Sequence, residues 1–69
     1  MNWEQIQGNW MQFEGKVREN WVKLTNEDLA HIGGRRDELI SRLQARYGFG
    51  RGEAGHEIDA WLRTLRRAA

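Results

Sequence analysis

Cysteine is absent from this sequence. That excludes disulfides and thiolate metal sites, so a 69-residue chain must hold together by helix packing or by self-association. A reducing, cytoplasmic setting is the expectation. Proline is absent too, where a chain of this length would carry about three on average. No apolar run approaches the roughly 18 residues of a membrane span. The first ten residues, MNWEQIQGNW, lack the basic start and apolar centre of a secretory signal, so a retained, soluble protein is expected. Net charge is nearly absent: 11 Lys and Arg against 10 Asp and Glu leave +1, which disfavours a wholly electrostatic partner. The halves differ, however. Residues 1–34 carry three bases and five acids, whereas residues 35–69 carry eight arginines and five acids.

What the chain does have is helical periodicity. Trp3, Ile6, Trp10, Phe13, Val17, Trp21 and Leu24 follow at steps of 3 or 4, the period of an amphipathic helix. Asn2 with Gln5 three residues on forms a capping signal, so a first helix is predicted from Trp3 to about Lys23. Thr25 with Asp28 marks a second start, since a hydroxyl cap and acids both suit the positive end of a helix. Leu29 and Ile32 stay in phase with Leu39, Ile40, Leu43 and Tyr47. Between them, Gly33 and Gly34 would together cost about 2 kcal/mol relative to alanines within a helix. The pattern therefore predicts a short helix, a glycine break and a longer helix from about Arg35 to Tyr47, ended by Gly48. A last helix from about Gly52 carries Ala54, Ile58, Trp61, Leu62 and Leu65.

The predicted fold is all-α: one domain over residues 1–69, a small bundle of three main helices plus a short helix, four helical segments in all. The predicted core is Trp3, Trp10, Phe13, Val17, Trp21, Leu29, Ile32, Leu39, Leu43, Tyr47, Ile58, Trp61 and Leu65.

Signals for chemistry are weak. Gly50 to Gly55 spells G-x-G-x-x-G, but that fingerprint holds a dinucleotide only after a buried strand at the start of a βαβ unit, and here it follows a helix. Turn chemistry between two helices explains it better. Asp28 with His31, and Glu53 with His56, have the carboxylate–imidazole spacing of di-metal bundles. Two further inward carboxylates are missing, because Glu14 and Glu19 fall outside the apolar stripe. No metal, cofactor or catalytic residue is assigned. With Ser41 the only serine and no thiol, nothing suggests an activated nucleophile, and an enzyme is not expected.

Arg35, Arg42 and Arg46 could gather on the third long stretch, with Arg63, Arg66 and Arg67 near the end of the chain. Weak nucleic-acid binding by this second half is the alternative function. Glu14 with Arg18, Glu19 with Lys23, Glu38 with Arg42 and Asp59 with Arg63 are acid-first pairs four apart, which would offset part of the charge. Three of the four Trp residues sit on helix 1, where core packing explains them better than membrane insertion, since that helix lacks a basic polar face. Gly8 and Gly15, seven apart, lie away from the Trp stripe and would form either tolerated surface positions or a smooth strip for a partner.

In GNWMQFEGKVRENWVKLT (Gly8 to Thr25), DLAHIGGRRDELISRLQARYG (Asp28 to Gly48) and EIDAWL (Glu57 to Leu62), the chain resembles the CsbD-like family of small bacterial stress-response proteins. The G-N-W, F-x-G-K-V and R-D-x-L elements in order carry the resemblance over nearly the whole length. Gly33 stands where relatives often have a helix-favouring residue, and Val22 where they often have glycine. The resemblance implies a cytoplasmic, all-helical bacterial protein made under general stress, and no mechanism; the leading expectation set beside it is a non-enzymatic protein that binds or protects an unknown protein or other macromolecule. Self-association is left open by the small size of the chain, a point on which the resemblance is silent. The resemblance implies no catalytic residue, cofactor or ligand.

Overall fold

The structure, a computed structural model, describes residues 2–68, with side chains described over 2–65. Five helices make up the described chain: α1 (Trp3–Gly8), α2 (Trp10–Asn20), α3 (Asn26–Ile32), α4 (Arg36–Tyr47) and α5 (Arg51–Ala68). Among the described residues there is no strand. The all-α prediction holds, while the expected four segments become five because the first helix breaks in two.

The break falls at Asn9, whose φ of −123° and ψ of 36° leave helical space. Gly8 and Asn9 are both poor helix formers, and the Asn9 side chain competes for backbone partners. Its side-chain amide donates to the Gln5 carbonyl at 3.0 Å, and its backbone N–H reaches both the Gln5 and Ile6 carbonyls at 3.2 Å. The two segments each aim an indole at a different carbonyl. Trp3 Nε1 donates to Gly34 O at 2.8 Å, and Trp10 Nε1 donates to Leu29 O at 3.3 Å. The far end also differs from expectation, since α2 stops at Asn20 rather than near Lys23. A turn from Trp21 to Leu24, closed by a 3.0 Å backbone bond, buries both of those side chains and leads into α3.

The start signals read from sequence are present as full capping boxes. Asn2 exchanges bonds with Gln5 at the head of α1, and Thr25 with Asp28 at the head of α3. Gly33 (φ 54°) and Gly34 (φ 87°) separate α3 from α4 in the left-handed region, and Gly48 (φ 72°) ends α4 as predicted. Gly50–Gly55 is the joint into α5 and the first turn of that helix. The helix begins at Arg51, one residue before the predicted start, with the Glu53 carboxylate accepting from Gly50 N at 3.2 Å.

Gly34 is the most demanding of these positions. A Cβ there would lie 3.2 Å from Gln7 Cα, a backbone atom of α1 that cannot swing aside. Gly34→Ala is expected to destabilise by about 2 kcal/mol, from strain at positive φ plus this contact. Gly33→Ala, whose nearest neighbour would be 3.8 Å away, should lose about half as much. Equal melting temperatures for the two variants would contradict this packing of α1 on the α3–α4 turn.

Ile6, Val17, Trp21, Leu24, Leu29, Ile32, Leu39, Ile40, Leu43, Ala54, Ile58 and Trp61 form the buried core. Trp3, Trp10, Phe13, Tyr47 and Leu65, expected inside, are half-buried and close the core's edge. Trp61 lies among the aromatics, with ring centroids 5.4 Å from Trp21 and 6.4 Å from Trp3.

Candidate interaction surface

Asp28 is the one buried charged side chain among the described residues, 2 % exposed. Its position follows from the cap that starts α3: Thr25 N donates to Oδ2 at 3.0 Å while Asp28 N donates to Thr25 Oγ1 at 3.0 Å. From α4, Arg46 adds a fork, Nε to Oδ2 at 2.9 Å and Nη2 to Oδ1 at 3.0 Å, and Arg42 Nη1 stands 3.4 Å from Oδ1. Bonding to the Arg46 guanidinium, opposed by burial and aided by the Thr25 bonds, holds the Asp28 carboxyl down at about 2. Arg46 is raised in turn by the same carboxylate. Every acceptor direction on Asp28 is taken up inside the chain. The cluster fastens α3 to α4 and leaves no coordination or acid–base capacity for a ligand.

These partners hold Arg42 and Arg46 together on one carboxylate and leave Arg35 apart. Arg42 and Arg46 face Asp28, and Arg35 turns back on α3, donating to the His31 carbonyl at 3.2 Å and the Ile32 carbonyl at 3.5 Å. Arg36 bridges to Asp59 on α5 at 3.0 Å and also donates to Gly55 O. Arg66 and Arg67 lie outside the described side chains. The four acid-first pairs four apart are not the ion pairs of the fold. The bridges among the described residues join different helices, His31 with Glu38, Arg36 with Asp59, and Asp28 with Arg42 and Arg46. Arg18 instead donates to Asn26 Oδ1 at 2.6 Å. The two carboxylate–imidazole pairs are likewise separated in role, since Asp28 points to α4 and His31 to Glu38, 3.4 Å away. Among the described residues no three His, Asp or Glu side chains come together.

The outer side of α1 and α2 is different. Met11 (87 % exposed), on α2, and Val22 (76 %), in the turn that follows it, are the exposed large apolar side chains among the described residues. Gly8, the last residue of α1, and Gly15, within α2, are exposed, and a Cβ on either would meet nothing within 4 Å. Within α2, Met11, Gly15, Arg18 and Glu19 are all exposed, while Val17 on the opposite side is buried and Trp10 and Phe13 are half-buried. A shallow depression of about 380 Å³ opens at the Asn9 break, lined by Gln7, Gly8, Asn9, Trp10, Met11 and Gln12. Gly8 and Gly15 were legible in the sequence as a strip. Met11 was not singled out, although its spacing of four residues from Gly15 places the two on one side of α2.

Fold and surface together define a small all-α protein whose one buried charge, among the described residues, is matched inside the chain. The chain belongs to the UPF0337 family. It is 48 % identical over 61 residues to the UPF0337 protein YjbJ of Escherichia coli O6:H1, covering 88 % of each chain. It is 49 % identical, again over 88 % of each, to a UPF0337 protein of Pectobacterium atrosepticum. A UPF0337 protein of Rhodopseudomonas palustris matches at 47 % over 66 residues, 96 % of this chain and all of the relative. No family model matches. Among the described residues no helix is long and apolar enough to cross a membrane.

Proposed function

We propose that this chain is a non-enzymatic bacterial stress-response protein of the CsbD-like type, acting in the cytoplasm by binding another cellular component through the outer face of α1 and α2. The UPF0337 relatives and the motifs from Gly8 to Gly48 support the family side of this reading. One observation carries the surface: Met11 and Val22, the exposed large apolar side chains among the described residues, stand on and just after α2, which also carries an exposed glycine, Gly15, that packing within the chain does not require. Exposed helical glycine costs about 1 kcal/mol against alanine, so its presence at both Gly8 and Gly15 is accounted for by something that approaches the backbone there. The alternative, weak nucleic-acid binding by the second half, draws less from the geometry because Arg35, Arg42 and Arg46 are turned to oxygens of their own chain.

The double substitution Met11→Glu with Val22→Glu tests the surface. Both sites are open to water, so the melting temperature should change little, in keeping with surface changes of about 0.5 kcal/mol or less. Cells carrying the variant should survive osmotic or stationary-phase stress no better than cells lacking the gene. Survival equal to wild type, with normal protein levels, would remove this face from the function.

A further inference from the structure

Sulfur chemistry in this chain belongs to methionine alone, because cysteine is absent. Met1 lies outside the described residues, and Met11 stands on α2, 87 % exposed. We infer that Met11 is an oxidation site, a thioether that peroxide converts to the sulfoxide, and that this change switches off partner binding at the α1–α2 surface while leaving the fold intact. Such regulation rests on the reading of that surface as the binding face.

The aromatic side chains that an oxidant could also attack are better shielded. Trp21 and Trp61 are buried, and Trp3 and Trp10 are half-buried, each with its Nε1 donating to a carbonyl. Tyr47 is half-buried and stacked on Phe49, with ring centroids 5.2 Å apart. With no thiol to react first, the open thioether is the group that a peroxide reaches. The step is a two-electron transfer. The Met11 sulfur attacks one oxygen of hydrogen peroxide, an S–O bond forms as the O–O bond breaks, and the other oxygen leaves as water with both protons. Sulfur is oxidised, peroxide is reduced, and no further reactant is needed. The product is polar where the thioether was apolar and flexible. In a core such a change is disruptive, but Met11 belongs to none. It borders the depression at the Asn9 break, whose other lining residues include Gln7, Asn9 and Gln12 and no charged side chain. The sulfoxide oxygen stays in water there, and α2 keeps its packing through Val17 on the opposite side. A partner that covers Met11 must instead desolvate the S–O dipole, so oxidation acts on the bound state and not on the fold. Sulfoxide reductases restore the thioether, which makes the change reversible.

Graded hydrogen peroxide followed by peptide mapping locates the site. Met11 should gain a single oxygen at a rate within about threefold of free methionine and before any Trp is modified, with the melting temperature unchanged to within about 2 °C. Binding is read with the isotopically labelled protein in desalted lysate from stressed cells, where no small reductant restores the thioether. Broadening of the Gly15 and Val22 amides by the lysate should be present with the reduced protein, lost with the sulfoxide and regained after methionine sulfoxide reductase. Met11→Leu, which keeps an apolar side chain without sulfur, should be broadened equally before and after peroxide. Trp modification ahead of Met11, or loss of broadening after peroxide in Met11→Leu as well, would overturn the assignment of the site. A sulfoxide form broadened as strongly as the reduced one, when Met11→Glu with Val22→Glu is not broadened, would overturn the switch alone and leave the binding reading in place. A reduced protein that the lysate leaves unbroadened would overturn both.

Discussion

Trp61→Ala is expected to leave the chain largely unfolded at 25 °C. Trp61 is 5 % exposed and packs edge-tilted against both Trp21 and Trp3, so it joins α5 to the segments at the other end of the sequence. Removing a buried indole costs about 3–5 kcal/mol when the surroundings cannot collapse into the space. A domain of this size has a total stability of about 3–10 kcal/mol, so the loss is comparable with the whole. Trp10→Ala should cost roughly half as much, because Trp10 is only half-buried and its main directed contact is a 3.3 Å bond to Leu29 O. Circular dichroism melts of the two variants check the order. A Trp61→Ala protein melting within about 5 °C of wild type, or one more stable than Trp10→Ala, would mean that the aromatic centre has been misplaced.

Asp28→Asn carries the second large effect, and its size depends on pH. The folded carboxyl sits at about 2, below its ordinary value of 3.8. A carboxyl whose folded value is depressed contributes stability that is fully present above the unfolded value and is lost as pH falls through the folded one. The shift corresponds to about 2 kcal/mol at neutral pH. Removing one partner of a buried pair can cost more, about 3–5 kcal/mol, when the other charge is stranded. Here Arg42 and Arg46 are 30 % and 43 % exposed and can turn to water, which favours the lower figure. Denaturant unfolding should therefore show Asp28→Asn about 2 kcal/mol less stable than wild type at pH 7, with the gap closing between about pH 4 and pH 2. A gap that is constant from pH 7 to pH 2 would contradict the ionic account of the cluster.

The sequence carried local information well and long-range pairing poorly. Both capping boxes, the glycine break at Gly33 and Gly34 and the Gly48 stop were legible because each is written within four residues. The break at Asn9 was hidden because the apolar steps from Trp3 to Trp21 continue across it unaltered, while the cause is a polar side chain bonding its own backbone. Asp28 was visible as a cap residue and Arg42 with Arg46 as a pair four apart. Nothing local states that residue 28 meets residue 46, and that meeting turns a candidate phosphate site into a structural clamp. The outer face was half-legible. Its glycines stood out by their cost in a helix, whereas Met11 and Val22 became informative only once their exposure was known.

The central claim is that the chain works through the Gly8–Met11–Gly15–Val22 face and not through its arginines. Amide spectra of the isotopically labelled protein, recorded in lysate from stressed cells, test it residue by residue. The account predicts broadening and shifts gathered on Gly8, Met11, Gly15, Glu19 and Val22, abolished by Met11→Glu with Val22→Glu. Perturbations centred on Lys23, Arg42 and Arg46 and weakened by nuclease would contradict it.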